Sequence, residues 1–484
     1  MKYFATIFYA LLLFCVGVVH PQGDSRIIRF DGGKIDLNFA MTGGLFSGIG
    51  GSSAGVGASI ASFAPAGADG FWNPALLSSL NRFEFQIDAI PPINLSLDTF
   101  LDMPAEVQAS TDNAIKDYKD ASLVPTYSRI YSKIAQQDQL NAAVFTVPHR
   151  FATFSIYFVR PFEMDFRSKV SGIQAKILTT LSVSEGDDEV FLNSYVDGHL
   201  SLALGVNTIG LAAGKRINDL FDVGLAIERY DARLRSKGLF NVDGTMLFGG
   251  KENTFNDPND AWHNDLNQFI DATYRGSDWG WKLGGSYSIN PDFQVSGVFI
   301  WAPDITNRGS MKLINNTIPA LNIDLMGQQG EQEQDILDPE KLKLSQLTLT
   351  REVDNKVYPS LQMRLPKILR IGAAYRVNWF AVHFSYSMGF SPLSFVYGKD
   401  EIGVKPAHTF LLGFNLKYVQ MGLGLSVLKK VAKGSENLGE DGLTSILPLF
   451  TIGSQAQIGE AMNFYFSLLS LPLPCVKISF GYKF

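Results

Sequence analysis

The chain has little with which to hold itself together by covalent bonds or metals. Only two cysteines occur in 484 residues, and one of them, Cys15, lies in the leader. A disulfide framework and a cysteine-based zinc cluster are therefore excluded. Six scattered histidines do not make a histidine-rich metal site, and neither a metal nor a cofactor is expected. Charge is scarce, at 18% of residues against about 25% in an ordinary soluble chain. The net charge of −6 lacks the basic excess of a nucleic-acid binder. After residue 23 no apolar run reaches the roughly 18 residues that a helix needs to cross a bilayer. No Pro/Ser-rich linker divides the chain.

Residues 1–23 pair a basic start at Lys2 with an apolar stretch from Phe4 to Val19, and polar sequence follows. This is a secretory signal peptide, with cleavage placed near residues 19–23. Phe14 is too bulky for the residue before a lipidated cysteine. Cys475, alone in the mature chain, reads as a small apolar residue, buried or lipid-facing.

Alternation with a period of two is the dominant signal. Trp281, Leu283, Gly285, Tyr287 and Ile289 share one face, and Lys282, Gly284, Ser286 and Ser288 the other. Asn290, Pro291 and Asp292 then make a turn, and Phe293, Val295, Gly297, Phe299 and Trp301 form the next apolar row. Similar rows run through 369–377, 380–388, 410–418 and 421–427, and the chain alternates to its end at Phe484. A soluble β-sandwich also alternates. Here the rows are about 9–11 residues long, as a tilted membrane strand requires. Their opposite faces are small and polar, which suits a lumen. Trp279, Trp301, Trp379 and Tyr482 stand near strand ends, as an interfacial girdle would.

The expected fold is therefore all-β, a transmembrane antiparallel β-barrel of about fourteen strands. The expected segments are 82–94, 122–133, 140–162, 198–215, 222–234, 279–289, 293–302, 366–377, 380–391, 407–418, 420–429, 445–457, 462–471 and 475–484. With both barrel termini periplasmic, every short turn falls on that side. The long connections 235–278, 303–365, 392–406 and 430–444 fall outside, as the barrel rule demands.

Residues 24–80 do not alternate and are rich in small residues. A flexible linker is one reading. The Ala, Ile and Phe content favours another, an internal hatch, because a fourteen-strand lumen is usually too wide to be filled by its own side chains. The expected organisation is thus a signal peptide at 1–23, an extension and hatch at 24–80, and the barrel at 81–484.

Gly51 to Phe85 resembles the hatch of the FadL family of outer-membrane channels for long-chain fatty acids and other hydrophobic molecules, on the motif Asn73-Pro74-Ala75-Leu76. Asp278-Trp-Gly-Trp-Lys-Leu-Gly-Gly-Ser-Tyr287 is similar to a second family segment. Leu365-Pro366, followed by Gly372-x-x-Tyr375 and Ser385-Tyr386, is similar to a third. The resemblance implies uptake of a fatty acid or hydrocarbon across the bacterial outer membrane, with lateral diffusion through a gap at a kinked third strand. Related hatch-bearing barrels serve in secretion or surface attachment, so a scaffold presenting its long loops is the alternative. The implied partners are the hydrophobic ligand, outer-membrane lipid and lipopolysaccharide, and the barrel-assembly machinery. A closed barrel needs no second copy to satisfy its edges, so a monomer is expected.

Pro148, His149 and Arg150 fall inside the expected third strand. Proline cannot donate to a continuous ladder, so Pro148 either kinks this strand as a lateral gate, as the resemblance implies, or makes a turn between two short strands or a bulge without meaning for transport. The turn would add a strand and upset the even count, which favours the kink. For a ligand carboxylate the resemblance points to Arg233, whereas strict alternation places Arg233 outward with Val223, Leu225 and Ile227. Inward Val298 and Ile300 are apolar where a hydrophilic pore would be polar. The mature N-terminus, with Arg26, Arg29, Asp31, Lys34 and Asp36, is longer and more charged than the family pattern and could extend into the periplasm. Residues 303–365 are acidic, with Asp324, Glu331, Glu333, Asp335, Asp338 and Glu340. Gly51-Ser52-Ser53-Ala54-Gly55 fits a nucleophile-elbow pattern without its strand–turn–helix setting, and no enzymatic activity is expected.

Overall fold

The computed structural model describes residues 26–31, 34–43, 59–63, 65–96, 121–123, 129–136, 139–183, 186–248, 251–255, 266–317, 350–352, 360–397, 400–416, 418–433, 444–470 and 474–484. The leader, residues 44–58 with the nucleophile-elbow pattern, and the acidic stretch 318–349 lie outside the described residues.

Fourteen antiparallel strands close into a barrel. They are β1 (Glu84–Ile90), β2 (Gln139–Val147), β3 (Thr153–Val183), β4 (Gly186–Arg216), β5 (Phe221–Phe248), β6 (Leu266–Asn290) and β7 (Phe293–Trp301). The ring continues through β8 (Ile368–Val377), β9 (Phe380–Gly389), β10 (Asp400–Leu416), β11 (Val419–Lys433), β12 (Thr444–Ile458), β13 (Met462–Ser470) and β14 (Pro474–Lys483). Each strand pairs with the next, and β14 closes on β1 from Ile478↔Ala89 to Lys483↔Glu84.

The expected count is met, but two strands are drawn differently. Residues 129–136 and 139–147 together form the second wall strand, against Ile93–Ser96 and β1. Pro148–Ala152 is the turn that ends it, since Val147 pairs with Phe154 and Ala142 with Val159. The turn therefore adds no strand, and the assignment of Pro148, His149 and Arg150 to a kink inside the third strand is corrected. Proline is accommodated where no ladder bond is needed.

The short turns 148–152, 217–220, 291–292, 378–379 and 459–461 share one end of the barrel with the start of β1 and the C-terminus, where the Phe484 amide donates to the Phe83 carbonyl. Asn378, at φ 52°, takes the left-handed conformation that such a tight turn needs and that asparagine tolerates. At the opposite end β3–β6 run far past the expected boundaries, so much of 235–278 is wall rather than loop. Strand Asp304–Thr317 likewise continues β7, and Ser360–Arg364 leads into β8. Sequence alternation misses these extensions because polar side chains there also face outward.

The outward row of β6 exposes Trp279, Trp281, Leu283, Tyr287 and Ile289. The ten residue steps from Trp279 to Ile289 span about 33 Å of strand, or about 25 Å of height at the usual tilt, which is the height of a lipid-facing band. Trp281 stacks on Trp301, with ring centroids 6.1 Å apart and planes 6° apart. Trp379 and Phe484 stand exposed at the turn end. The inward rows are small or polar, with Ser286, Gln294, Ser296, Ser385, Thr409, Ser426 and Ser479 all buried. Cys475 is buried too.

Candidate functional site

Residues 59–63 and 65–80 lie in the interior and include two short 3-10 turns, Gly67–Phe71 and Pro74–Ser79. Asn73 joins them. It is fully buried, its side-chain amide donates to the Ile60 carbonyl at 2.9 Å, and its Oδ1 accepts from the Ala75 amide at 3.0 Å. Pro74 follows at the first position of the second turn, where a missing N–H is harmless. Asn73, Pro74 and Ala75 thus lie in the lumen, pressed on a row of wall glycines. Gly214 of β4, Gly224 of β5 and Gly284 of β6 are cross-strand neighbours. A Cβ at Gly214 or Gly224 would overlap the Pro74 backbone, and one at Gly284 would overlap the Asn73 side chain. Glycine is required here by close approach, not by turn conformation.

Polar bonds tie the segment to other strands. The Gly67 amide donates to Glu84 of β1 at 2.5 Å, and the Ser62 amide to Gln294 of β7 at 2.9 Å. His383 of β9 meets Ser59 Oγ and the Ala61 carbonyl, both at 3.1 Å. Phe71, Trp72, Leu77 and Ile60 join Val144, Tyr157, Ala212 and Val298 in one buried cluster.

A charged pair is buried beside this segment. Lys282 Nζ of β6 lies 2.6 Å from Glu228 Oε1 of β5, and the two side chains are 3% and 0% exposed. Nζ also donates to the Phe71 carbonyl at 3.0 Å and lies 3.7 Å from the centre of the Phe71 ring. Glu228 accepts from Tyr157 at 2.6 Å and from Tyr230 at 2.5 Å. The carboxylate is therefore both charge-matched and hydrogen-bonded, which is what a buried ion requires. Arg370 of β8 lies buried nearby, with its guanidinium carbon 5.4 Å from the Trp72 ring centre.

Above Phe71 and Trp72 lies a cavity of about 120 Å³. Phe162, Val206, Tyr230, Ile300, Met363 and Leu365 are among the side chains lining it, and Lys282 and Arg370 reach it from below. The wall is irregular at this height. Strand β3 bulges between Val159 and Phe162, carrying Pro161. Pro303 and Pro366 interrupt the passage from β7 to Asp304–Thr317 and from Ser360–Arg364 to β8. The Leu365 amide bridges the break by donating to the Pro303 carbonyl at 3.2 Å. These interruptions turn apolar side chains inward, into a second buried cluster of Leu204, Val206, Tyr230, Ala302, Ile305, Met363 and Leu365.

The residues singled out in the sequence do not assemble into one site. Asn73, Pro74 and Ala75 underlie the cavity region. Pro148, His149 and Arg150 line a recess of about 500 Å³ at the turn end, with Ser78, Leu80 and Asn81. Arg233 is exposed on the outward row of β5, opposite Gly205 and Arg275. Inward Val298 and Ile300 are buried and half-buried beside the luminal segment. The cations at the cavity are Lys282 and Arg370, which sequence reasoning missed. The signal available was a cation in an inward row of small residues, Lys282 before Gly284 and Ser286, and Arg370 before Gly372 and Ala374, with Arg376 ending the same row at the turn.

Solved barrels similar to this chain include a monoaromatic hydrocarbon channel, CymD, at 10% identity and TM-score 0.45, covering 91% of this chain and 98% of that one. The Ralstonia pickettii toluene transporter TbuX is similar at 12% identity and TM-score 0.42, covering 90% and 99%. A Pseudomonas aeruginosa FadL homologue is similar at 11% identity and TM-score 0.43, covering 90% and 96%. No protein-family model and no curated protein sequence matches the chain.

Proposed function

We propose that this barrel takes up small hydrophobic molecules across the bacterial outer membrane, with residues 59–80 as its plug and the cavity above Phe71 and Trp72 as its binding site. The observation that carries this reading is an apolar cavity inside a barrel whose inner wall is otherwise small and polar. An engineered cavity of about 150 Å³ lined by Leu, Ile and Phe stays dry and binds benzene. By that measure about 120 Å³ holds one ring or a short piece of an acyl chain, and a long fatty acid would extend beyond it. Lys282 has its charge matched by Glu228, so it adds little attraction for a free carboxylate. The size of the cavity favours a single ring over a long fatty acid.

The short turns belong on the periplasmic side and the extended strands in the lipopolysaccharide layer, since that asymmetry is general to outer-membrane barrels. The barrel works as a monomer. Lateral passage, where it occurs, is assigned to the bulge of β3 at Arg160–Pro161, the wall irregularity that borders the cavity. The test is binding of toluene and of octanoate to the detergent-purified barrel by calorimetry, with Ala302→Phe as the filled-cavity variant. Toluene binding that Ala302→Phe weakens at least tenfold supports the reading. Equal affinity of both proteins for both probes overturns it.

A further inference from the structure

The mature N-terminus is part of the barrel wall. Lys34–Gly43 pairs antiparallel with β3 from Lys34↔Ser171 to Gly43↔Phe162, and Arg26–Asp31 continues from Ile27↔Leu178 to Asp31↔Gln174. On its other edge Lys34–Phe39 pairs parallel with the outer part of the second wall strand, from Lys34↔Arg129 to Phe39↔Ile134. β2 and β3 pair with each other only up to Ala142↔Val159. Beyond that point they part, and the N-terminal strand fills the seam. Its direction is fixed by the register. Residue 26 lies at the loop end and residue 43 lies level with the β3 bulge, and the described residues of 59–80 lie inside the lumen. The pairing runs this extension along the wall toward the end of the barrel that carries the long strand extensions, away from the short turns.

We propose that this N-terminal strand is a movable fifteenth wall strand that closes a side door to the cavity, and that the mature N-terminus is displayed at the outer surface. The idea rests on the uptake reading above for what passes through the door, but not for where the strand lies. Three observations support it. The strand's last partner, Phe162, and the preceding Pro161 both line the cavity, so the seam starts at the cavity's side wall. On its other edge the strand is held only by parallel pairings, Lys34–Phe39 with 129–134 and Arg26–Ile28 with Ala121–Leu123, and parallel pairing is the weaker kind. Asp36 and Asn38 lie opposite Lys169 and Arg167, and Arg167 is exposed and ion-paired to Asp165 at 2.7 Å. This polar stretch of β3 therefore lies beyond the lipid-facing band. An edge opened there is hydrated, whereas one opened within the hydrocarbon would leave its backbone groups unsatisfied.

The test uses the full chain in intact cells. Asn38→Cys with Arg167→Cys places two thiols at facing positions, and Asn38→Cys with Asp278→Cys is the mismatched control. The first pair is expected to crosslink under mild oxidant and the control is not. A short epitope placed after residue 24 is expected to be labelled without permeabilising the outer membrane. In the crosslinked barrel, uptake of toluene is expected to fall at least fivefold and to recover with dithiothreitol. Failure of the facing pair to crosslink, or an epitope labelled only after permeabilisation, overturns the placement. A crosslinked barrel with undiminished uptake overturns the door. If the unmodified barrel takes up no toluene at all, the uptake reading fails, while the crosslink and the surface label still decide where the strand lies.

Discussion

Gly284 of β6 faces Asn73 so closely that a methyl group at Gly284 would overlap the Asn73 Oδ1 and stand 3.1 Å from Pro74 Cδ. With Gly214 and Gly224 it forms a notch across three strands, and the luminal segment is seated by shape as much as by hydrogen bonds. Gly224→Ala and Gly284→Ala are each expected to destabilise the seated plug by about 1–3 kcal/mol, the usual range for overpacking. Because the barrel itself stays closed, the effect should appear as raised single-channel conductance in planar bilayers. The control is Gly285→Ala, whose new Cβ would meet nothing nearer than 3.8 Å, and which should behave as wild type. Equal conductance in all four proteins would remove the notch from the seating of the plug.

The Lys282–Glu228 pair offers a separate test of how the plug's surroundings are held. Breaking a buried pair leaves one charge uncompensated and typically costs about 3–5 kcal/mol, while replacing both partners by neutral groups is often close to neutral. Lys282→Met alone should therefore destabilise more than Lys282→Met combined with Glu228→Gln. Unfolding followed by heat-modifiable gel migration reads the difference. If the double variant is as unstable as the sum of the singles, the pair acts as two independent hydrogen-bonding groups.

Much of the wall was legible in the sequence because lipid outside and a small, polar lumen inside impose opposite demands on alternate residues. Trp281, Leu283, Tyr287 and Ile289 are exposed and Lys282, Gly284 and Ser286 buried, as their alternation requires. The signal fades where lipid ends. Arg233, Arg235 and Lys237 are all exposed on β5, and with a polar outer face no apolar row marks the strand. The N-terminal strand escaped for a related reason. Its partners lie more than 90 residues away, and nothing local in Lys34–Gly43 says which edge it will join. The cavity cations were obscured in another way, since a lone lysine in a lumen row looks like any pore-lining charge until Glu228 and Phe71 are placed around it.

Cavity size should set which ligands fit. Leu365 lines the cavity and is buried. Leu365→Ala removes about three methylene-sized groups and should cost about 2–5 kcal/mol of stability, while admitting a larger ring system. Calorimetry with toluene and naphthalene checks this. The naphthalene-to-toluene affinity ratio should rise at least fivefold over wild type, and an unchanged ratio would place the bound ring elsewhere.

Two prolines near the third strand separate a turn from a bulge. Pro148 sits in the turn between β2 and β3, beside a recess at the barrel's end. Pro161 sits in the bulge where β3 parts from β2 and borders the cavity. A threonine at position 148 changes a turn that needs no ladder bond, so uptake should stay within about twofold of wild type. A threonine at position 161 restores an amide donor and favours an unbulged register. If the bulge is what keeps the seam apart, Pro161→Thr should lower toluene uptake at least fivefold without lowering barrel stability. The opposite pattern, with uptake lost in Pro148→Thr and kept in Pro161→Thr, would move the lateral path to the turn end. Loss in neither variant would mean that cargo leaves by another route than the wall beside β3.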